Sequence, residues 1–567
     1  MKFIFTAVIS LLLINASYAQ AKRFDVLITE IMPIPSPVVG LPSAKYVEIK
    51  NVSPATINLK NWKLCAANST ATISQSVLLK PDSFLLICTS SNLAALSAIA
   101  PTISVTNFPT LYADGDEIFL LSPEGKTIHS VSYSRSWFND IKSKGGWSLE
   151  MIDTQNPCSG ASNWTASMND KGGTPGKENS VKAINVDNTA PQLLKAFASD
   201  EKHITLVFSE SVDSTQASVK TNYVLGDNAI TSVVVKQPSF TNVVLELSNS
   251  LTVNKSYDFS VNNIKDCSGN TMDKTVIKTG LTSSTDSLDA VINEILFNPT
   301  ATGVDYVELY NRSNKILDLK ELYIANRSSS GELSSIKQLV NERQLFFPND
   351  YLVISENPMT VRKEYLVKNP ELMIELSSMP SFSNESGTCV ILNKQGKIID
   401  ELRYDSKWHF ALIENPEGVA LERIDFDAPT QDQNNWHSAA ASAGYGTPTY
   451  QNSQFKTNDQ PHGLIDISPK VFSPDNDGFD DFATISYQFP ERGYVCNIYI
   501  FDANGRPVRN LVRNGLCSQS GYFRWDGVDE QGKQLPIENY VVVTEIFNLQ
   551  GKTQRFKNVV VLARRLR

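Results

Sequence analysis

The chain has 567 residues, of which 41% are hydrophobic and 20% charged, the make-up of ordinary globular protein. A single hydrophobic core stops growing near roughly 250–300 residues, so several domains are required. The formal net charge of −9 excludes a general nucleic-acid binder, which presents a basic face.

The opening stretch, MKFIFTAVISLLLINASYAQ, reads as an export signal over residues 1–19. Lys2 supplies the positive start, Phe3 to Ile14 the apolar run, and Ser17-Tyr18-Ala19 a small-x-small cleavage site. That run is too short to span a bilayer, and no later stretch reaches about 18 apolar residues. The mature chain is therefore expected to lack a transmembrane helix and to work at the cell surface or outside the cell.

The next elements are short apolar runs bounded by Pro, Gly, Asn or Asp. VLITEIM (from Val26) and YVEIKN (from Tyr46) open the series, and period-two alternation puts Val47 and Ile49 on one face, Tyr46 and Glu48 on the other. INLKNWKL, SFLLIC and FLLSPEGKTIHSVSYSRSW follow, then GWSLEMID, NWTAS and GGTPG. From Ala290 the same order recurs as AVINEIL, YVELYN, LDLKELYI, DYLVIS, VILNKQGKIIDELRYDSKW, GVALERID, NNWHS and GYGTPT. Recurrence at domain length marks a duplicated domain and not a solenoid repeat. A glycine in SPEGKT and in NKQGKI suits a hairpin turn with positive φ.

Between the copies, HITLVFSESVD and NNIKDCSGNTM frame a third β unit, and VFSPDNDGFDDFATISYQF opens a fourth. The fold class that follows is all-β: four Ig-like antiparallel β-sandwich domains in tandem, over residues 22–180, 186–281, 288–453 and 462–567. The linkers STDSLD and QNSQFKTNDQPHG are short and polar, which predicts beads with limited interfaces.

The repeated blocks resemble the lamin tail domain, an immunoglobulin-like sandwich also found in secreted bacterial proteins. Both copies carry its closing pattern, SLEMID…NW…GTPG and ALERID…NW…GTP, with Leu322 in place of Trp62 and Thr449 in place of Gly176. The unit between them is similar to Ig-like modules of bacterial surface-layer and adhesin proteins, through Phe208-Ser209-Glu210-Val212 and Asp266-Gly269-Asn270. Its resemblance implies a spacer. The last unit resembles Ig-like domains of the flagellar hook-capping and gliding-motility type in the Bacteroidota. That resemblance implies a signal read by type IX secretion machinery at the outer membrane, in keeping with the basic end Arg564, Arg565 and Arg567.

Candidate chemistry is sparse. Glu30 and Glu48 recur as Glu294 and Glu308 and could form an acid–base pair, but they sit in a strand signature shared with non-enzymatic lamin tails, so a structural role is expected. His129, His203, His409, His437 and His462 are scattered without an HExxH pattern, and no GxSxG elbow or phosphate-cradling loop occurs, so no catalytic residue and no organic cofactor is expected. Asp475, Asp477 and Asp480 around Gly478 place hard oxygen ligands at calcium-like spacing, without the bidentate Glu of an EF-hand; a structural Ca²⁺ or a solvated acidic turn fits equally.

Trp137/Trp408 and Trp164/Trp436 recur in both copies, which favours packing over sugar stacking; Tyr112, Tyr133 and Phe138 remain as a candidate binding face. Cys65, Cys88 and Cys158 face Ala325, Ser355 and Thr430 in the second copy, so all three are lost together. An exported chain permits oxidation, and Cys65–Cys88 is the first expectation, with Cys158 as competing partner. Cys389 is expected as a buried thiol and Cys267 as unpaired; Cys496 and Cys517 either form a disulfide or do not. The resulting expectation is an exported binding or scaffolding protein without catalysis, whose partner is an extracellular protein or glycan. Its rivals are a carbohydrate-binding accessory protein and a secreted hydrolase.

Overall fold

The computed structural model describes residues 21–66, 69–456 and 464–564. The export signal at 1–19, His462, Arg565 and Arg567 lie outside the described residues. The chain divides into two compact units, the first running to Thr279 apart from Thr252–Ser256, which belong with the second. Among the described residues no helix is long and apolar enough to cross a membrane. The architecture is all-β, built of facing sheets.

In the first copy a six-stranded sheet runs Trp164–Ala166, Leu149–Met151, Val26–Met32, Tyr46–Asn51, Phe84–Cys88, Thr102–Ser104. It faces a four-stranded sheet of Thr127–Ser134, Gly115–Leu121, Lys63–Ala66 and Ser69–Thr72. Side-chain alternation sends Val47, Ile49, Leu85 and Ile87 into the core between them, with Trp62, Leu64 and Ile118 from the other side. The opposite face of the six-stranded sheet is also buried: Met32, Tyr46, Leu86 and Cys88 pack with Leu96 of the short helix Leu93–Ser97. That helix leads into Thr102–Ser104, which pairs in parallel with Phe84–Cys88, so the sheet is antiparallel except at this edge.

The second copy repeats the strand order as Trp436–Ser438, Leu421–Arg423, Ala290–Leu296, Tyr306–Asn311, Tyr351–Ser355, Met373–Glu375, again with a parallel edge. Both six-stranded sheets have a register shift at the equivalent place, between Ile28 and Glu30 and between Ile292 and Glu294. This bulge lets two successive residues, Thr29-Glu30 or Asn293-Glu294, lie over the sheet's outer face.

In the first unit the Ig-like module pairs a sheet of Leu193–Ala198, His203–Phe208, Asn242–Leu247 and Ile230–Lys236 with a three-stranded one. In the second unit the last module has three- and five-stranded sheets around Trp525, Phe472, Tyr540 and Ile500.

The expectation of loosely strung beads fails inside each unit. In the first, Cys158 is disulfide-bonded to Cys267, with Cα atoms 6.4 Å apart. Nearby, the Arg23 guanidinium lies 3.8 Å from the Phe240 ring centroid and donates to Ser211 Oγ at 2.6 Å. In the second, Phe410 and Ile413 pack with Val495, Leu516 and Phe547 in an apolar seam, and Tyr487 Oη lies 2.6 Å from Ser442 Oγ.

The cysteines correct the sequence expectation. Cys65 and Cys88 are free and buried, and they sit one residue out of phase with the core residues Leu64 and Ile87, on different sheets. Their side chains point away from each other across a sandwich about 10 Å thick, beyond the reach of a disulfide. Cys267, expected alone, is the partner of Cys158. Cys389 is a buried thiol, as are Cys496 and Cys517, which belong to one core cluster.

Candidate functional site

The repeated glutamates lie under a strap. Glu30 sits opposite Glu48 on one neighbouring strand and Glu150 on the other, and all three are 0% exposed. Glu30 Oε1 accepts from Tyr46 Oη (2.7 Å), Ser148 Oγ (2.6 Å) and the Thr174 N–H (3.0 Å). Glu48 accepts from Thr29 Oγ1 (2.8 Å) and the Gly176 N–H (2.6 Å), while Glu150 takes Thr174 Oγ1 (2.9 Å) and Ser180 Oγ (2.7 Å).

The GTPG segment is thus stitched across the sheet by carboxyl groups. Glycine at 173 allows this close approach, because a Cβ there would lie 2.6 Å from Glu30 Oε1.

The second copy rebuilds the arrangement with Glu294, Glu308 and Glu422. Glu294 accepts from Tyr306 Oη and the Thr447 N–H, Glu308 from the Thr449 N–H and Asn293 Nδ2, and Glu422 from Ser453 Oγ and the Gln454 N–H. Thr449 holds φ 71° where Gly176 holds 76°, a left-handed backbone that is strained for a β-branched residue. Its Oγ1 accepts the Asn369 N–H at 2.9 Å, which helps hold it there.

Burial raises Glu30, Glu48, Glu294, Glu308 and Glu422 above the usual carboxylate range. Burial, then the neighbouring Glu150, raises Glu30 to about 7. Burial and then Glu294 raise Glu422 to about 8, and Glu48 and Glu308 are raised by burial and by Glu30 and Glu294 respectively. Thr447 Oγ1 lies 2.7 Å from Glu294 Oε2 and 2.8 Å from Glu422 Oε1. One hydroxyl carries one proton, so one of those carboxyls must supply its own. The geometry serves strap attachment: every carboxyl is sealed beneath the segment it binds.

A third glutamate of each set escaped the sequence reading, although Glu150 and Glu422 occupy the same place in SLEMID and ALERID.

The repeated tryptophans divide into two roles. Trp164 and Trp436 are each 3% exposed and pack into the sandwich. Trp137 and Trp408 are only partly buried and line clefts. In the first copy Trp137 stacks on Trp164 with centroids 6.2 Å apart, beside a cleft of about 240 Å³ that includes Arg23, Glu210 and several serines. In the second copy Trp408 lines a cleft of about 520 Å³ with Lys407, His409, His437 and, from the last module, Arg492. Tyr133 and Phe138, considered as binding residues, are buried at 3% and 7%; of that trio Tyr112 alone is exposed.

Two carboxylate groups converge elsewhere. Asp475 and Asp477 come together with Asp481, not with Asp480 as the spacing suggested. Asp480 takes φ 51° and gives its carbonyl to the Ser473 N–H, while Asp481 turns its carboxylate to the Asn476 and Gly478 N–H groups (2.7 and 2.9 Å). Asp187, Glu210 and Asp266, distant in sequence, also converge; burial, then the two aspartates, raise Glu210 to about 7.

Comparison with protein families matches residues 19–135 to the Lamin Tail Domain and residues 180–285 to a bacterial Ig-like domain. No curated protein matches the chain.

Among solved structures, the N-terminal part of the bacterial S-layer protein SbsC is similar at 15% identity and TM-score 0.16, covering 30% of this chain and 41% of that one. Two longer S-layer structures are covered to 54% and 55% of their length, so the chain spans about half of the S-layer chains it matches. A Bacteroides ovatus protein, SGBP-B, in complex with a mixed-linkage heptasaccharide, matches at 11% identity and TM-score 0.15 over 92% of this chain and 91% of that one. A Ca²⁺-stabilised ice-binding adhesin of an Antarctic bacterium matches at 9% identity and TM-score 0.12, covering 96% and 99%. Superposition at such scores is poor, and what those proteins bind belongs to them.

Proposed function

We propose that this is an exported, non-catalytic binding protein of a bacterial cell surface or its surroundings. The observation that carries the reading is the sealed strap: the repeated carboxyl groups, the strongest acid–base candidates in the sequence, hold a scaffold closed and are 0% exposed. Recognition then falls to clefts and loops at the sandwich ends.

In this reading both copies, 22–180 and 288–453, are lamin-tail sandwiches, 186–281 is an Ig-like module, and 462–567 is the module addressed by type IX secretion machinery. The partner is an extracellular protein or glycan. The Asp475–Asp481 turn, with Asp475, Asp477 and Asp481 as ligands, would hold a structural Ca²⁺.

The test is expression in the native host with and without residues 462–567, followed by protease treatment of intact cells and blotting of the medium. The full chain is expected outside the outer membrane and the truncated one in the periplasm. Identical locations for both would overturn the export role. Hydrolysis of any matrix polymer by the purified chain would overturn the non-catalytic reading.

A further inference from the structure

Because the two copies share one scaffold, residues that differ at equivalent positions show how each has specialised. The tryptophan corner is common to both, but its chemistry is not. In strand register Glu422 faces His437 where Glu150 faces Thr165, and His409 stands where the first copy has Phe138. Both histidines therefore belong to the second copy alone, and both line the Trp408 cleft together with Lys407 and Arg492. Among the described residues no aspartate or glutamate lines it. In a chain with a net charge of −9 this is a local basic cavity.

Two side-chain nitrogens there lack a partner among the described residues. Ser438 Oγ accepts the Phe410 N–H at 2.9 Å and lies 3.0 Å from His409 Nδ1. When the Ser438 hydroxyl donates to Nδ1, the hydrogen of the neutral imidazole sits on Nε2. Burial and then His437 lower His409 to about 4, so the ring is neutral at ordinary pH. His409 Nε2 is buried and unpartnered among the described residues.

Arg492 donates through Nε to the Gln454 carbonyl at 2.8 Å, yet its Nη2 is also buried and unpartnered. Asp425, the acid that acts on Arg492, is already paired with Lys456 at 3.6 Å. The cations Lys407 and Arg492 on one cleft, with an unpartnered imidazole nitrogen just beneath its surface, suit an acceptor-rich anion, and a carboxylate fits a guanidinium best. Trp408 adds a flat apolar surface suited to a pyranose ring, and the exposed amides of Gln433 and Asn434 stand at the rim.

We propose that this cleft binds a uronate residue of an acidic polysaccharide, with Trp408 under the sugar ring and Arg492 and His409 on its carboxylate. It rests on the binding-protein reading above and names the ligand class. Calorimetry on the mature full-length chain compares a galacturonate tetramer with a galactose tetramer, in wild type and in His409→Phe and Arg492→Gln. The first substitution installs the residue that the other copy carries at that place, and a thermal melt of each variant checks that it folds. The acidic tetramer is expected to bind at least about tenfold more tightly than the neutral one, and each substitution to weaken it by about tenfold.

Equal affinity for both tetramers, or uronate binding that survives both substitutions, overturns the proposal. So does oligoglutamate binding as tightly as the uronate tetramer, which would mark a general anion site. Should the chain ignore oligouronates yet adhere to other extracellular material, this ligand falls and the binding function stands. New reducing ends released from polygalacturonate would instead bring down the non-catalytic reading.

Discussion

Glu30→Gln offers a direct measure of the sealed acids. In the folded chain Glu30 is raised from 4.5 to about 7, largely by burial. For a carboxyl raised in this way the folded state binds more protons than the unfolded state between those two values. Its stabilising contribution is complete below 4.5 and disappears as pH rises through about 7. At about 1.4 kcal/mol per pKa unit the loss is about 3 kcal/mol.

His129, in the same sandwich, pulls the other way, since burial lowers it to about 4 and the folded state there resists protonation. The wild-type slope therefore mixes opposing contributions, and the difference between wild type and Glu30→Gln isolates the carboxyl. The assay is hydrogen exchange of peptides covering Val26–Met32 and Tyr46–Asn51 in graded urea at pH 4.5 and 7.5, corrected for intrinsic exchange. Wild type should lose about 3 kcal/mol relative to the variant between the two pH values. A difference that stays constant, or grows in favour of wild type at the higher pH, would refute the claim that burial raises Glu30.

Other expectations follow from packing and connectivity. Gly173→Ala should destabilise the first copy by about 1–3 kcal/mol in urea unfolding, because its methyl would press on Glu30 Oε1; a neutral result would remove the strap's close approach. Mass mapping of the non-reduced protein should find Cys158 bonded to Cys267, with Cys65 and Cys88 alkylated only after denaturation. Replacing that pair with serines should cost up to about 4–5 kcal/mol by loop-closure entropy, read as a lower Tm of the first unit; an unchanged Tm would show that the bond contributes little. Millimolar Ca²⁺ should raise the Tm of the last module in wild type but not in Asp477→Asn, and a flat response in both would leave the turn as a solvated acidic loop.

Strand positions were legible because period-two alternation survives in both copies, so Val47 and Ile49 could be placed in the core from YVEIKN alone. The pairing of Glu30 with Glu48 was also within reach, but the strap was not. It depends on Gly173 and Thr174 folding back over strands far away in sequence, and no local pattern encodes that return. The disulfide was misread for a similar reason. Joint loss of three cysteines pointed inward to one sandwich, whereas Cys158 bonds across to a neighbouring module whose docking no linker composition reveals. Asp481 was missed because spacing along the chain ignores the left-handed turn at Asp480.

The apolar seam around Phe410 bears on whether the last module could be trimmed from the rest of the chain. An address label meant to be discarded should peel away cleanly, leaving water-compatible surfaces behind. Here its removal would strip cover from Phe410 and Ile413 and expose Val495, Leu516 and Phe547 on the departing piece. It would also take Arg492 with it, dismantling the wall of the Trp408 cleft. Trimming at this junction would not liberate a finished protein; it would unmake one, and the mature form should therefore keep its last module attached.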